Sequence, residues 1–117
     1  MAEGPRIIHL VDDDAAVRRS LSLTLRTAGY QVRAFESGAA LLDACATIEP
    51  GCILLDVRMP DIDGLRVQSI LQDRGISWPV IVMTAHGDTA TAVQAMKGGA
   101  LDFIVKPFHR ADLFRAV

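Results

Sequence analysis

Acidic side chains follow two of the apolar runs in this sequence. Asp12, Asp13 and Asp14 come directly after the first run, and Asp56 comes directly after the third. Carboxylates that lie close together repel one another, so a divalent cation would stabilise them as a cluster. Carboxylate and carbonyl oxygens suit Mg²⁺, and the sequence has no His/Cys cluster that would favour zinc. The acids therefore predict a magnesium site, with Mn²⁺ as a substitute ion.

A hydroxyl and a cation follow two further apolar runs. Thr84 ends the fourth run, and Lys106 with Pro107 ends the fifth. An ammonium group binds phosphate oxygens as a point charge, and a hydroxyl can donate a hydrogen bond to them. Together with the acids, these groups predict a phosphoryl-transfer pocket in which a carboxylate attacks phosphorus and forms an acyl phosphate.

The order of the acids along the chain suggests a role for each of them. Asp56 is the single acid at the end of a predicted central strand, so we predict it to be the phosphoacceptor. Asp12 and Asp13 are predicted to bind the metal, with the backbone carbonyl of Arg58 as a further ligand. Asp14 is predicted to cap the helix that follows.

Five apolar runs alternate with segments of helical period. The runs cover residues 7–11, 31–35, 52–55, 80–83 and 101–105. This alternation predicts right-handed βαβ units and a parallel sheet. Polar residues interrupt the second and fifth runs, which places those strands at the edges. The predicted fold is α/β, a flavodoxin-like (βα)₅ doubly wound sheet with strand order 2-1-3-4-5.

The carboxyl ends of strands 1, 3, 4 and 5 would be neighbours in such a sheet. Taken alone, Asp12 to Asp14 are typical helix-cap residues, Thr84 is a typical strand end, and Lys106 is a typical surface lysine. An aromatic residue such as Phe103 on an edge strand is usually part of the core. Because the strand ends bring the polar residues to one rim, we favour a functional site over these structural explanations.

The fourth helical segment has an unusually small face. Its predicted inward residues are Ala90, Ala92, Val93, Ala95 and Met96, and the segment stops at Gly98–Gly99. Such a face predicts loose packing, which suits an element that moves in a switch.

Composition excludes several classes of protein. The chain has 117 residues, 12 Lys+Arg and 14 Asp+Glu, for a net charge of −2. This length fits one domain, and the balanced charge argues against direct nucleic-acid binding. The apolar runs are too short to cross a membrane. Cys45 and Cys52 are expected to be free thiols, as in a cytoplasmic protein.

Four motifs together resemble the receiver domain of two-component response regulators. They are Val11-Asp12-Asp13, Asp56-Val57-Arg58-Met59-Pro60 followed by Asp63-Gly64, Thr84-Ala85, and Lys106-Pro107-Phe108. Within that family, the stretches at residues 84–88, 92–97 and 102–108 resemble the FixJ-like branch.

The resemblance implies roles for the site residues. Asp56 would accept phosphate from a sensor histidine kinase, with Mg²⁺ held by Asp12, Asp13, Asp56 and the Arg58 carbonyl. Thr84 and Lys106 would bind the phosphoryl oxygens.

The resemblance also implies secondary roles around the site. Phe103 would be an aromatic switch, the Lys106–Pro107 peptide bond would be cis, and Arg58 and His86 would tune hydrolysis of the acyl phosphate. A phosphoryl group adds about −1.5 to −2 charge, which Thr84 and Lys106 could reach.

The resemblance has further consequences for the whole protein. The face formed by the fourth helix, fifth strand and fifth helix would serve dimerisation or output. Residues 1–117 would be a receiver domain excised from a longer protein, whose C-terminal helix-turn-helix would bind DNA.

Three other functions are compatible with parts of the pattern. An aspartate-nucleophile phosphohydrolase would share Asp56 and the metal, but it needs an acid/base carboxylate at the position that Arg58 occupies. A nucleotide- or flavin-binding module would need a Gly-rich phosphate loop, which the sequence lacks. A degenerate receiver could act as a binding scaffold.

Overall fold

The computed structural model describes residues 6–85, 88–106 and 110–117, without the side chains of Arg110 and Asp112. Strands and helices alternate along the chain. The strands are β1 (Ile7–Val11), β2 (Gln31–Phe35), β3 (Cys52–Asp56), β4 (Val80–Ala85) and β5 (Asp102–Lys106). The helices are α1 (Ala15–Thr27), α2 (Gly38–Ala44), α3 (Gly64–Asp73), α4 (Thr89–Lys97) and α5 (Arg110–Ala116).

The strands form one parallel sheet in the order β2-β1-β3-β4-β5, which confirms the predicted topology. Two strands are longer than their apolar runs, since β3 includes Asp56 and β4 includes Thr84. In the ladders, Asp56 is paired with Met83, and Thr84 with Val105. The polar residues are thus fixed in register at the carboxyl edge of the sheet.

The apolar side chains of the central strands divide into two core layers. Leu55 packs on one face of the sheet with Leu41 and Val67, which come from α2 and α3. Leu54 packs on the other face with Leu25 and Leu113, from α1 and α5, respectively. Successive strand residues point to opposite faces, so each central strand supplies both layers. Each fully buried side chain of this size stabilises the fold by about 1.5–3 kcal/mol.

Short polar side chains cap four helices, α1 to α4. Asp14 accepts from the Ala16 amide at 2.8 Å, which confirms its predicted role at the start of α1. Ser37, Asp63 and Asp88 accept from the first turns of α2, α3 and α4 in the same way. Such a cap contributes about 1 kcal/mol. Within the described ranges, the structure has no helix of the length and hydropathy needed to span a bilayer.

The predicted face of α4 is only partly right. Ala92 and Ala95 are buried, but Ala90 is exposed, and Val93 and Met96 are 46% and 41% exposed. Ala92 and Ala95 form the buried face of the helix. Larger residues of the predicted stripe therefore lie in solvent.

Helix α3 contacts the C-terminal end of α4 through two glutamine side chains. Gln68 is 4% exposed, and its Nε2 donates to the Ala95 carbonyl at 2.8 Å. Gln72 Nε2 donates to the Gly98 carbonyl. A Cβ at Gly98 would lie 3.2 Å from Gln68 Nε2, so the glycine allows the close approach. The Gly98–Gly99 pair thus ends α4 and also admits the two amide groups.

Candidate functional site

The ends of β1 and β3 bring three carboxylates together. Asp12 is fully buried, Asp56 is 7% exposed, and Asp13 is exposed. One carboxylate oxygen from each residue lies within 4.8 Å of the others. Hard oxygen donors at this spacing have the chemistry that Mg²⁺ requires.

Lys106 reaches this cluster from β5. Its Nζ lies 2.7 Å from Asp12 Oδ2 and 3.5 Å from Asp56 Oδ1. Burial alone would lower the pKa of the Lys106 ammonium, but the hydrogen bond to Asp12 and the charge of Asp56 outweigh it and raise this pKa above its ordinary value. Lys106 is therefore a permanent cation that partly neutralises the acids.

Burial is the main influence on Asp56. It raises the pKa of this carboxyl from 3.8 to about 6; the charge of Lys106 opposes the rise, and the charge of Asp12 adds to it. The backbone amide of Arg58 also faces Asp56 Oδ1, at 3.4 Å. Near neutral pH, Asp56 is ionised and can act as a nucleophile, but its charge carries a desolvation cost.

This desolvation cost predicts the effect of Asp56→Asn on stability without metal. The folded-state pKa of Asp56 is raised above the unfolded value, so protonation favours the folded state and the penalty grows as pH rises from 3.8 to about 6. Above that range, Asp56→Asn is expected to raise the free energy of unfolding by roughly 2–3 kcal/mol at most. Thermal unfolding in EDTA at several pH values measures the difference, which should shrink in acid. An equal gain at all pH values would contradict this explanation.

Thr84 lies at the end of β4, beside β3. The side chain is 2% exposed, and its hydroxyl donates to the Ile104 carbonyl on β5 at 3.5 Å. Because this hydrogen bond is long, the hydroxyl can exchange its partner at little cost. The residue is therefore at the correct edge of the sheet for a phosphate-binding role.

The side chains of Phe103 and Arg58 are exposed to solvent. Phe103, on β5, is 38% exposed. The Arg58 guanidinium forms a 3.0 Å ion pair with Asp88, the N-cap of α4, so a residue two positions after Asp56 contacts the start of α4. This contact was not predicted from the sequence.

Two of the predicted features fall on residues that the structure does not describe. His86, proposed as a tuning residue, and the Lys106–Pro107 peptide bond, expected to be cis, lie outside the described residues.

One further contact to the site was missed in the sequence. Arg18, on the second turn of α1, donates from Nη1 to the Asp12 carbonyl at 2.7 Å. The signal for it is weak, because an arginine on an amphipathic helix is usually assigned to the solvent face.

Gly64 packs directly on the end of β3, which carries Asp56. A Cβ at this position would lie 2.7 Å from the Asp56 carbonyl oxygen and 2.9 Å from the Val57 Cα. Gly64→Ala is therefore expected to displace the end of β3, to cost about 1–3 kcal/mol, and to slow phosphoryl uptake at Asp56. Denaturant unfolding and intact-mass labelling measure the two effects.

Gly29→Ala is the matched control for Gly64→Ala. Gly29 has a φ of +100° and open space around its Cβ position, so alanine there adds backbone strain but no contact with the site. It should lose stability yet keep the parental labelling rate. Parental labelling by folded Gly64→Ala would show that the close packing does not position Asp56.

Residues 8–117 match the family described as the response regulator receiver domain. The chain belongs to this family. It is a receiver domain of the kind found in two-component response regulators, and its fold and strand-end motifs agree with the resemblance seen in the sequence.

Several curated proteins are similar in sequence to this chain over most of its length. It is 50% identical over 110 residues to the transcriptional regulatory protein FixJ of Azorhizobium caulinodans, covering 94% of this chain and 52% of that protein. It is 43% identical to the response regulator protein TmoT of Ectopseudomonas mendocina, covering 100% of this chain and 53% of that protein. The chain thus spans about half the length of these curated relatives.

Solved structures agree with these relatives. The crystal structure of FixJ-N has a TM-score of 0.93 and 39% identity, covering 97% of this chain and 91% of that one. Full-length FixJ from B. japonicum has a TM-score of 0.90 and 41% identity, covering 97% of this chain and 56% of that one. The chain is therefore similar to FixJ in both sequence and fold.

Proposed function

We propose that this domain accepts a phosphoryl group on Asp56 from the phosphohistidine of a sensor histidine kinase. The observation that carries the proposal is the convergence of Asp12, Asp13, Asp56 and Lys106 at one edge of the sheet. An oxygen of Asp56 attacks phosphorus as the P–N bond of the phosphohistidine breaks. The products are an acyl phosphate on Asp56 and the free imidazole of the kinase.

The acidic cluster fits a divalent cation. Asp12, Asp13 and Asp56, with the backbone carbonyl of Arg58, would hold Mg²⁺ or Mn²⁺, which when bound supplies positive charge to the phosphoryl oxygens. Lys106 supplies a second positive charge from β5, and Thr84 a hydroxyl donor from β4. Lys106 and Thr84 would thus stabilise the negative charge on the phosphoryl oxygens during transfer to Asp56.

The same residues support a role as a signalling domain rather than an enzyme that acts on an external substrate. A phosphohydrolase would need a carboxylic acid at the position of Arg58 to protonate the leaving group. The Arg58 side chain is 74% exposed and paired with Asp88. We assign Arg58 instead, together with His86, to tuning the lifetime of the acyl phosphate. The domain itself assists both the formation and the hydrolysis of this acyl phosphate.

The surface around α4 and β5 supports a switch that controls association. Among the residues that the structure describes, four large apolar side chains are exposed there: Val93, Met96, Leu101 and Phe103. Thr84 moving toward a phosphoryl group would loosen its hydrogen bond to Ile104, which neighbours Phe103. We infer that Phe103 then turns inward, and that the α4–β5–α5 face forms a homodimer.

The signalling function requires an output domain in addition to this receiver domain. We infer that residues 1–117 are the receiver domain of a longer protein with a C-terminal output domain, and the length of the curated relatives, about twice that of this chain, supports this inference. That output is a helix-turn-helix that binds DNA and regulates transcription, whereas this domain does not bind nucleic acid itself. Its free cysteines, Cys45 and Cys52, fit the reducing cytoplasm.

Acetyl phosphate, a small phosphodonor, tests the proposal. With Mg²⁺, the domain is expected to gain the mass of one phosphoryl group as the P–O bond of the donor breaks and acetate leaves; in EDTA, it should gain none. Intact mass spectrometry measures the uptake. Failure to label would favour a binding scaffold, and steady turnover of p-nitrophenyl phosphate would favour a phosphohydrolase.

A further inference from the structure

Asp12 is held on every polar atom that it has. Its amide donates to the Phe35 carbonyl at 3.2 Å, and its Oδ1 accepts from the Asp14 amide at 2.9 Å. Its Oδ2 accepts from Lys106 at 2.7 Å, and its carbonyl accepts from Arg18 at 2.7 Å. The residue is fully buried, so water does not compete for these atoms. The contact with Arg18 has no role in the function described so far.

The carbonyl that Arg18 contacts belongs to a particular peptide unit. It is part of the peptide bond that joins Asp12 to Asp13, and a peptide unit rotates as one rigid plane. Rotation of this plane would redirect the exposed Asp13 carboxylate relative to the buried Asp12 carboxylate. A hydrogen bond to its oxygen therefore restrains the relative direction of the two acids.

Arg18 is well placed to supply this restraint. It lies on α1, whose first turn is fixed by the Asp14 cap. From there its guanidinium reaches back over the connection between β1 and α1 to the carbonyl. A charge-assisted hydrogen bond of 2.7 Å is among the stronger contacts that a carbonyl can accept.

We propose that Arg18 is a positioning residue that fixes the Asp12–Asp13 peptide unit and so sets the affinity of the acidic cluster for Mg²⁺. This inference rests on the proposed function of the cluster. The positive charge of Arg18 has the opposite effect, because it repels a cation. Removal of Arg18 would therefore tighten Mg²⁺ binding if charge were dominant, and would weaken it if positioning were dominant.

Calorimetric titration of the unphosphorylated domain with Mg²⁺ distinguishes these cases. Arg18→Met is expected to weaken binding by about 10-fold, as is typical when a partner of a metal ligand is lost. Arg18→Lys, which keeps a charged donor on a shorter side chain, should fall between Arg18→Met and the parent. Arg19→Met is the matched control, since this neighbouring arginine is exposed and has no hydrogen bond to the site within the described residues. Its affinity should be parental.

The labelling rate supplies a second readout. Weak binding by Arg18→Met should raise the Mg²⁺ concentration needed for half-maximal labelling, while the rate at saturating Mg²⁺ stays parental. Thermal unfolding in EDTA checks that the variants are folded, and Arg18→Gln gives the same comparison if the methionine variant is not. Parental or tighter Mg²⁺ binding by Arg18→Met or Arg18→Gln would overturn the proposal.

The outcomes also separate this inference from the proposed function. If the parent binds Mg²⁺ and Arg18→Met binds it weakly, but neither takes up a phosphoryl group, Arg18 keeps its positioning role and the phosphoacceptor proposal is wrong. If the parent binds no Mg²⁺, both are wrong.

Discussion

Asp56→Asn is expected to take up no phosphoryl group from acetyl phosphate and Mg²⁺. The amide is close in size to the carboxylate, so the end of β3 should keep its shape. An amide oxygen is a far weaker nucleophile than a carboxylate, and it cannot form a stable acyl phosphate. Asp56 is also the one member of the acidic cluster that lies on a central strand with neighbours on both sides. The loss should therefore be complete within the sensitivity of intact mass spectrometry.

Asp14→Asn is the matched control for this loss. Asp14 lies beside the cluster, but its side chain caps α1. Asparagine is an equally good N-cap, so this variant should fold and label as the parent does. If Asp56→Asn were labelled at the parental rate, the phosphoacceptor would be another residue. If Asp14→Asn also lost labelling, the effect would reflect the charge of the cluster rather than the nucleophile.

Lys106→Met is expected to cause the largest loss of stability among the site variants. It removes the cation but leaves the carboxylates of Asp12 and Asp56 buried beside one another. Breaking a fully buried pair typically costs about 3–5 kcal/mol, and because the Lys106 side chain is 29% exposed we expect roughly 2–3 kcal/mol. Denaturant unfolding in EDTA measures this cost.

A double-mutant cycle identifies the cause of the loss. In Lys106→Met with Asp56→Asn, one of the two uncompensated charges is absent, so Asp56→Asn should raise the free energy of unfolding more in the Lys106→Met background than in the parent. Simple addition of the two single effects would instead show that the aliphatic stem of Lys106 stabilises the fold by packing. Lys106→Met should also label poorly, since it lacks the positive charge opposite the phosphoryl oxygens.

The position of the site followed from the sequence, because it depends on strand order alone. Edge strands are recognised by polar interruptions such as Arg33 in β2, and strand order then determines which strand ends are neighbours. Local caps such as Asp14 were equally accessible, since they depend on residues that are close in the chain. These features need no knowledge of side-chain packing.

Contacts made by long side chains could not be derived in the same way. Lys106 on β5 lies closer to Asp12, which directly follows β1, than to Asp56 on β3, because a flexible four-carbon stem can pass over the intervening strand ends. The glutamine at position 68 was missed for a different reason. It lies on the same helical face as Val67 and Leu71, but a pattern built from apolar residues alone passes over a buried amide.

The two ends of α4 are attached to the rest of the domain in unequal ways. Its C-terminal end accepts hydrogen bonds from the buried Gln68 and from Gln72. Its N-terminal end is held by the ion pair between Asp88 and the exposed Arg58, which lies in the connection between β3 and α3. The helix has nine residues, which gives a lever arm of about 13 Å. A rotation of about 10° around the fixed end would carry the N-cap roughly 2 Å while the glutamine contacts stay intact. The geometry thus favours a tilt over a translation, and the exposed Val93 would travel farther than Met96.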